Sequence, residues 1–160
     1  MLFRSFCQIS SHTQLLVERM LSAQVERNGV TEKFVDVYLD ANNRNIQSRS
    51  DKLVSCLEEL DIPYLHPDSG LFLWMDFREF LPELSVNESL DNESLESKER
   101  RERELYLSLM KEFGLLFTPG MSMRNEHAGF FRCVFTAASE EEFQLGLVRI
   151  QEFVKVQRSG

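Results

Sequence analysis

Apolar residues recur at helical spacing early in the chain. Leu15, Leu16, Met20 and Leu21 follow Ser10-Ser11-His12-Thr13-Gln14, so a serine-capped helix ending near Gln24 is predicted. Asn28-Gly29 interrupts the pattern. From Thr31 and Glu32 a second helix is predicted, with Val35, Leu39, Ile46, Leu53, Leu57 and Leu60 on its apolar stripe. At roughly 30 residues it exceeds the usual globular helix of ~8–20, and it holds no internal Gly or Pro. Such a helix bridges two parts of a larger molecule or packs along one side of a domain. The ordinary alternative is a core helix broken near Asn42-Asn43, because Asn is a mediocre helix former.

The pattern then changes period. Asp61 to Leu65 reads as a short strand, Pro67-Asp68-Ser69-Gly70 as a turn, and Gly70 to Phe77 as a longer strand whose nearly continuous apolar character implies cover on both faces. Trp74 is read as a core residue. Pro82 to Ser97 is rich in Glu, Ser, Asn and Asp and repeats Asn-Glu-Ser-Leu at 87–90 and 92–95, which reads as an acidic surface insertion. A third helix from about Lys98 carries Leu105, Leu109, Met110 and Phe113 and stops at Gly114. Gly114 to Gly120 and Gly129 to Ala137 read as two strands around a loop opened by Pro119-Gly120. Ser139 caps a last amphipathic helix through Phe143, Leu147, Ile150 and Val154. The result is an α/β (α+β) domain, a short sheet covered by helices. Residues 1–30 form a lead-in and helix, 31–60 a long linker helix, and 61–160 a small domain with the insertion at 82–97.

Composition narrows the function. The chain has 160 residues, is 42% hydrophobic, contains 13 Phe and carries a net charge of -8, values of a globular domain without the basic face that nucleic acid requires. Lys98 to Arg103 is basic but interrupted by glutamates, so it reads as a solvated helix start. No apolar run approaches the ~20 residues of a membrane span, and Met1-Leu2-Phe3-Arg4 lacks the apolar core of a signal peptide, so a cytoplasmic location is expected. The 3 cysteines, Cys7, Cys56 and Cys133, are widely spaced and read as buried thiols, and no Cys or His pair has metal-ligand spacing.

One position stands out chemically. In the last strand, alternation puts Phe130, Arg132, Val134 and Thr136 on one face and Phe131, Cys133 and Phe135 on the other. Arginine is almost never buried without an anion, and its planar fork suits a carboxylate. Arg132 is therefore expected to hold a carboxylate. Spacing alone favours an internal Asp or Glu over a ligand, because structural ion pairs outnumber ligand clamps.

Several segments together resemble the C-terminal portion of fold type I pyridoxal-phosphate enzymes, the class I/II aminotransferases, and among them 1-aminocyclopropane-1-carboxylate synthase and its relatives. They are Ser10 to Gln14 with its helix, Tyr38 to Leu53 with Asn42 and Arg49, Ser69 to Arg78, Thr118-Pro119-Gly120-Met121-Ser122, and Gly129 to Phe135. They occur in family order across nearly the whole chain. The resemblance implies amino-acid metabolism, a pyridoxal 5'-phosphate cofactor, an α-amino acid substrate and a homodimer. It implies that Arg132 grips the substrate α-carboxylate, which would fix the bond to be broken relative to the cofactor ring. It also implies that Ser10 and Ser11 lie near a neighbouring subunit's cofactor phosphate, although a helix cap explains the same serines. Pro119-Gly120 would lead into a loop on the substrate side.

The departures are equally informative. None of Lys33, Lys52, Lys98, Lys111 and Lys155 sits in the family's Ser-x-Lys setting, so no Schiff-base lysine is expected in this chain. Asn45 and Phe130 stand where the synthase relatives often have Arg and Trp. Two further readings remain beside that of a portion cut from a longer enzyme. One is a non-catalytic truncated paralogue that pairs with a full-length enzyme. The other is an unrelated binding domain whose arginine is structural.

Overall fold

The structure, a computed structural model, describes residues 9–84, 89 and 92–159. The lead-in with Cys7, and the insertion residues 85–88, 90 and 91, lie outside the described residues. The chain divides into two compact units, Met1–Gln47 and Ser48–Gly160.

In the first unit, α1 spans Ser11–Ser22, and the Ser10 hydroxyl accepts from the Thr13 N–H at 3.2 Å, as the cap reading expects. No residue of α1 is buried, and Leu15, Leu16, Val17, Met20 and Leu21 are all exposed. The next segment corrects the sequence reading. Where a helix is predicted from Thr31, the chain forms a hairpin, β1 (Gln24–Arg27) paired antiparallel with β2 (Val30–Lys33). Asn28 at φ +53 and Gly29 at φ +77 supply the left-handed pair that a two-residue turn needs. Asn-Gly is thus a hairpin signal here, and the helix waits until Phe34.

Helix α2 runs unbroken over Phe34–Glu59, through Asn42 and Asn43. Its buried residues, Ser50, Leu53, Cys56 and Leu57, all fall in its C-terminal half, which belongs to the second unit.

The second unit contains a four-stranded antiparallel sheet in the order β3-β4-β6-β5, with β3 at Tyr64–Leu65, β4 at Phe72–Asp76, β5 at Thr118–Pro119 and β6 at Phe130–Val134. The strand expected from Gly114 to Gly120 shrinks to Thr118–Pro119, because Gly120 turns the chain away. Alternation divides the sheet as the sequence requires: Leu73, Met75, Phe131 and Cys133 are buried. Their partners in the core include Leu105 and Leu109 from α3 (Leu95–Glu112) and Phe143, Ile150, Phe153 and Val154 from α4 (Glu140–Ser159). Phe77 anchors this core, its ring 5.7 Å from Phe153 and 5.9 Å from Phe131.

Cover on both faces is not observed among the described residues. The alternate residues of β4 and β6 remain exposed or half-buried, so Trp74 stands on an open face and not in the core. A second correction concerns α3, which starts at Leu95, capped by Ser94, inside the stretch read as insertion. Its charged start is solvated only in part: Glu99, Arg100 and Arg103 are exposed, whereas Arg101 and Glu102 are buried, and Arg101 pairs with Glu93 at 2.8 Å. Cys56 and Cys133 are free and buried, and burial pushes the Cys133 thiol up to about 12.

Helix α4 opens with a reciprocal cap, the Ser139 N–H donating to Glu142 and the Glu142 N–H to the Ser139 hydroxyl. Beside it Glu140 accepts from Lys52 at 2.9 Å and Arg49 at 3.3 Å, tying α4 to α2. The Lys52 and Gln144 hydrogen bonds lower the Glu140 carboxyl from its ordinary 4.5 to about 2. A lowered acid stabilises the fold above its unfolded value, and that contribution disappears as pH falls through the folded one. Thermal melts between pH 4.5 and 2 are expected to show a smaller loss of stability for Glu140→Gln than for the wild type.

Candidate functional site

The open face of the sheet is the candidate site. Leu65 pairs with Trp74, Trp74 with Arg132, and Arg132 with Thr118, so one row crosses all four strands. Phe72 and Asp76 flank Trp74 along β4, and Phe130 and Val134 flank Arg132 along β6, all pointing to the same side. This is an aromatic and aliphatic surface with one cation at its centre.

Among the described residues the Arg132 guanidinium makes no hydrogen bond and no ion pair, and its Nε is buried without a partner. Its Cζ lies 5.1 Å from the Phe72 ring centroid, a cation–π contact that holds the plane without using its donors. The internal carboxylate that spacing alone favoured is therefore not there among the described residues. A guanidinium has five N–H donors, and leaving them unmatched in an apolar setting is costly unless an anion arrives. The arrangement can grip a planar anion through a bidentate fork.

The acid on this face is committed elsewhere. Asp76 accepts from Arg78 Nε at 2.9 and 3.0 Å, from its terminal nitrogen at 2.6 Å and from its backbone N–H at 3.1 Å. Arg78 also lies over the Phe130 ring, at 4.9 Å. Across the sheet, Gly129 at φ +93 leaves no room for a side chain, since a Cβ would come within 2.9 Å of Arg78.

Glu102 holds the loop between β5 and β6. Its two carboxylate oxygens accept from the Met121 N–H at 2.8 Å and the Gly129 N–H at 2.7 Å, at the loop's two ends. The turn itself needs Gly120, whose Cβ would lie 2.7 Å from the Phe130 carbonyl. Burial raises the Glu102 carboxyl, and the two backbone N–H groups oppose the shift. Sequence reasoning missed this residue although a signal existed: Glu102, Leu105 and Leu109 share the i, i+3, i+7 stripe, so the acid had to face the core.

The other resembling positions serve the scaffold. Arg49 donates to the Ala138 carbonyl at 2.7 Å and the Phe135 carbonyl at 3.3 Å, clamping the link from β6 to α4. Ser10 is occupied as a cap and Ser11 is exposed; both belong to the first unit, Arg132 to the second. Among the described residues of the second unit, no lysine lies on the open face. Lys52 pairs with Glu140 and Lys98 donates to the Glu126 carbonyl. The residues present do not make a pyridoxal-phosphate site. A cleft of about 610 Å³ lies nearby, where Asp76 is matched by Arg78 and Glu93 by Arg101, and Arg132 does not line it.

The class I and II aminotransferase family model matches residues 1–150, and the chain belongs to that family. It is 33% identical to 1-aminocyclopropane-1-carboxylate synthase 9 of Arabidopsis thaliana over 94% of this chain and 28% of that protein. Similarity to the 1-aminocyclopropane-1-carboxylate synthase of Nicotiana tabacum is 31% identity over 98% of this chain and 28% of the relative. The chain thus spans under a third of the length of these relatives. Among solved structures, an aromatic aminotransferase from Pyrococcus horikoshii superposes with a TM-score of 0.61 at 12% identity, over 79% of this chain and 29% of that one. An aspartate aminotransferase from Thermotoga maritima gives 0.50 at 19% identity, over 70% of this chain and 24% of that chain.

Glu102→Ala leaves two backbone donors without their acceptor and is expected to destabilise the fold by about 2–3 kcal/mol in chemical denaturation. Glu102→Gln reports the charge. With a raised folded pKa, the carboxyl's proton-linked contribution is full below its ordinary 4.5 and is lost as pH rises through the folded value. That decline is expected to vanish in the Gln variant.

Proposed function

We propose that this chain supplies the substrate-carboxylate side of the active site in a pyridoxal-phosphate-dependent transferase or lyase acting on an α-amino acid. The observation that carries the reading is the unpartnered Arg132 guanidinium, half-buried on an open aromatic sheet face. An α-carboxylate offers two oxygens at the spacing of the arginine fork, and the apolar surroundings strengthen the pairing by reducing its competition with water. Thr118 beside it in the row and the loop held by Glu102 would frame the same end of the substrate. Transamination and the synthase reaction named for the relatives make the same demand on this arginine. The cofactor that the family implies would be held by residues outside this chain, as would the missing lysine, with Ser10 and Ser11 at most near a neighbouring subunit's phosphate group. The family also implies a homodimer.

A second reading is a non-catalytic paralogue that pairs with a full-length enzyme. The absence of any lysine from the open face favours it, and the exposed apolar stripe of α1 offers a surface for pairing. Native polypeptide size separates the two. A band on immunoblots of source-cell extract at roughly two to three times the calculated mass supports the longer enzyme. A sole band near 18.7 kDa supports the pairing reading.

The arginine itself is tested in the full-length polypeptide by comparing α-amino acids with their amides. Wild type is expected to prefer the carboxylates, and Arg132→Lys to weaken their binding by about 10–150-fold, the equivalent of about 1.5–3 kcal/mol. Amide binding should be unchanged. Stability should move by no more than about 0.5 kcal/mol, because no internal acid is stranded. A large loss of stability with unaltered ligand preference would mean that the arginine is structural.

A further inference from the structure

We infer that Arg78 is a positioning residue whose task is to sequester Asp76, so that Arg132 stays free for an incoming carboxylate. The inference rests on the reading of Arg132 as a carboxylate site and deepens it. Asp76 is the acid among the strand residues of the open face, and it stands diagonally across the β4–β6 ladder from Arg132, since Trp74 pairs with Arg132 and Asp76 with Phe130. Diagonal neighbours on one face lie roughly 7–8 Å apart, within reach of long side chains. An aspartate and an arginine so placed on an apolar surface would ordinarily pair. They do not, because Arg78 saturates Asp76 first.

The geometry is well suited to that competition. Arg78 follows Asp76 by only two positions, so its guanidinium reaches both carboxylate oxygens from the strand end, at 2.6 to 3.0 Å. Its backbone N–H fixes the Asp76 rotamer through a bond to Oδ1 at 3.1 Å. The Asp76 side chain retains only 12% exposure, while that of Arg78 retains 57%, so the acid is enclosed and the neutralising cation is reached from solvent. Phe130 beneath Arg78 and Phe72 beneath Arg132 give each guanidinium its own ring. Two cations and one acid share this face, and the excess positive charge is assigned to Arg132.

Without Arg78, the Asp76 carboxylate becomes a tethered competitor for Arg132. A site occupied by its own acid nine-tenths of the time binds an external anion about tenfold more weakly. Asp76→Asn removes the competitor while keeping an oxygen for the Arg78 N–H, so it should restore the site in the absence of Arg78.

The experiment uses the full-length polypeptide and labels arginines with p-hydroxyphenylglyoxal, read by peptide mass spectrometry, with and without acetate. Exposed Arg44 serves as the internal reference. In wild type, Arg132 should be labelled and acetate should protect it. In Arg78→Met, labelling of Arg132 should slow and acetate protection should need about tenfold more acetate. Asp76→Asn, and Arg78→Met combined with Asp76→Asn, should both behave as wild type. If Arg78→Met leaves Arg132 labelling and acetate protection unchanged, the inference is wrong. It is equally wrong if the double variant is as impaired as Arg78→Met, because the pair would then be only structural. Should Arg78→Met fail to fold, Arg78→Lys keeps a cation without the fork: intermediate slowing supports the inference and wild-type labelling overturns it. Acetate that fails to protect Arg132 in wild type would instead overturn the carboxylate reading, independently of how labelling varies among the variants.

Discussion

Strand β6 imposes the condition on which the second unit depends. Its alternation commits Phe131 and Cys133 to the core, with Phe135 just beyond them, and the same register forces Arg132 out onto the opposite face. The core side is strongly determined: a one-residue slip would turn the guanidinium into the cluster around Phe77 and expose Phe131. Burying an unpaired charge there would cost far more than the strand could recover from its remaining apolar contacts. The charge is thus held at the sheet surface by packing on the other side of the sheet.

Around that strand, the ionic groups each have a defined task. Glu102 fixes both ends of the loop that precedes β6, and Arg101 with Glu93 ties the start of α3 to the residues before it. Arg49, Lys52 and Glu140 join the helix before the sheet to the helix after it. Arg78 closes Asp76. Such pairs contribute modestly to net stability, and the buried ones, Glu102 and Arg101 with Glu93, are expensive to break halfway, so they act chiefly by fixing geometry. Against this background of matched charges, the unmatched Arg132 is the feature that points outward from the fold.

Much of this was legible from residues. The alternation of β6, the Ser10 and Ser139 caps, the stop at Gly114 and a short sheet covered by helices follow from period and capping chemistry, whereas the antiparallel pairing does not. The β1–β2 hairpin was also legible, since Asn28-Gly29 is a two-residue turn, but Thr31 and Glu32 resemble a helix start as well and local pattern does not rank the two. Apolar runs mislead in a different way. Phe72-Leu73-Trp74-Met75 resembles a strand covered on both sides, yet composition does not say whether the covering surface lies within the same chain. The pairing of Asp76 with Arg78, and its avoidance of Arg132, depends on cross-strand register and could not be read from spacing alone.

The central claim is that Arg132 is reserved for a carboxylate that the chain itself does not supply. It is tested most directly by a crystal structure of the full-length polypeptide with a bound α-amino acid. The expected result is a bidentate pair between the ligand carboxylate and the Arg132 fork, with Asp76 still held by Arg78. A ligand carboxylate bound elsewhere, with Arg132 turned onto an acid of its own chain, would contradict it.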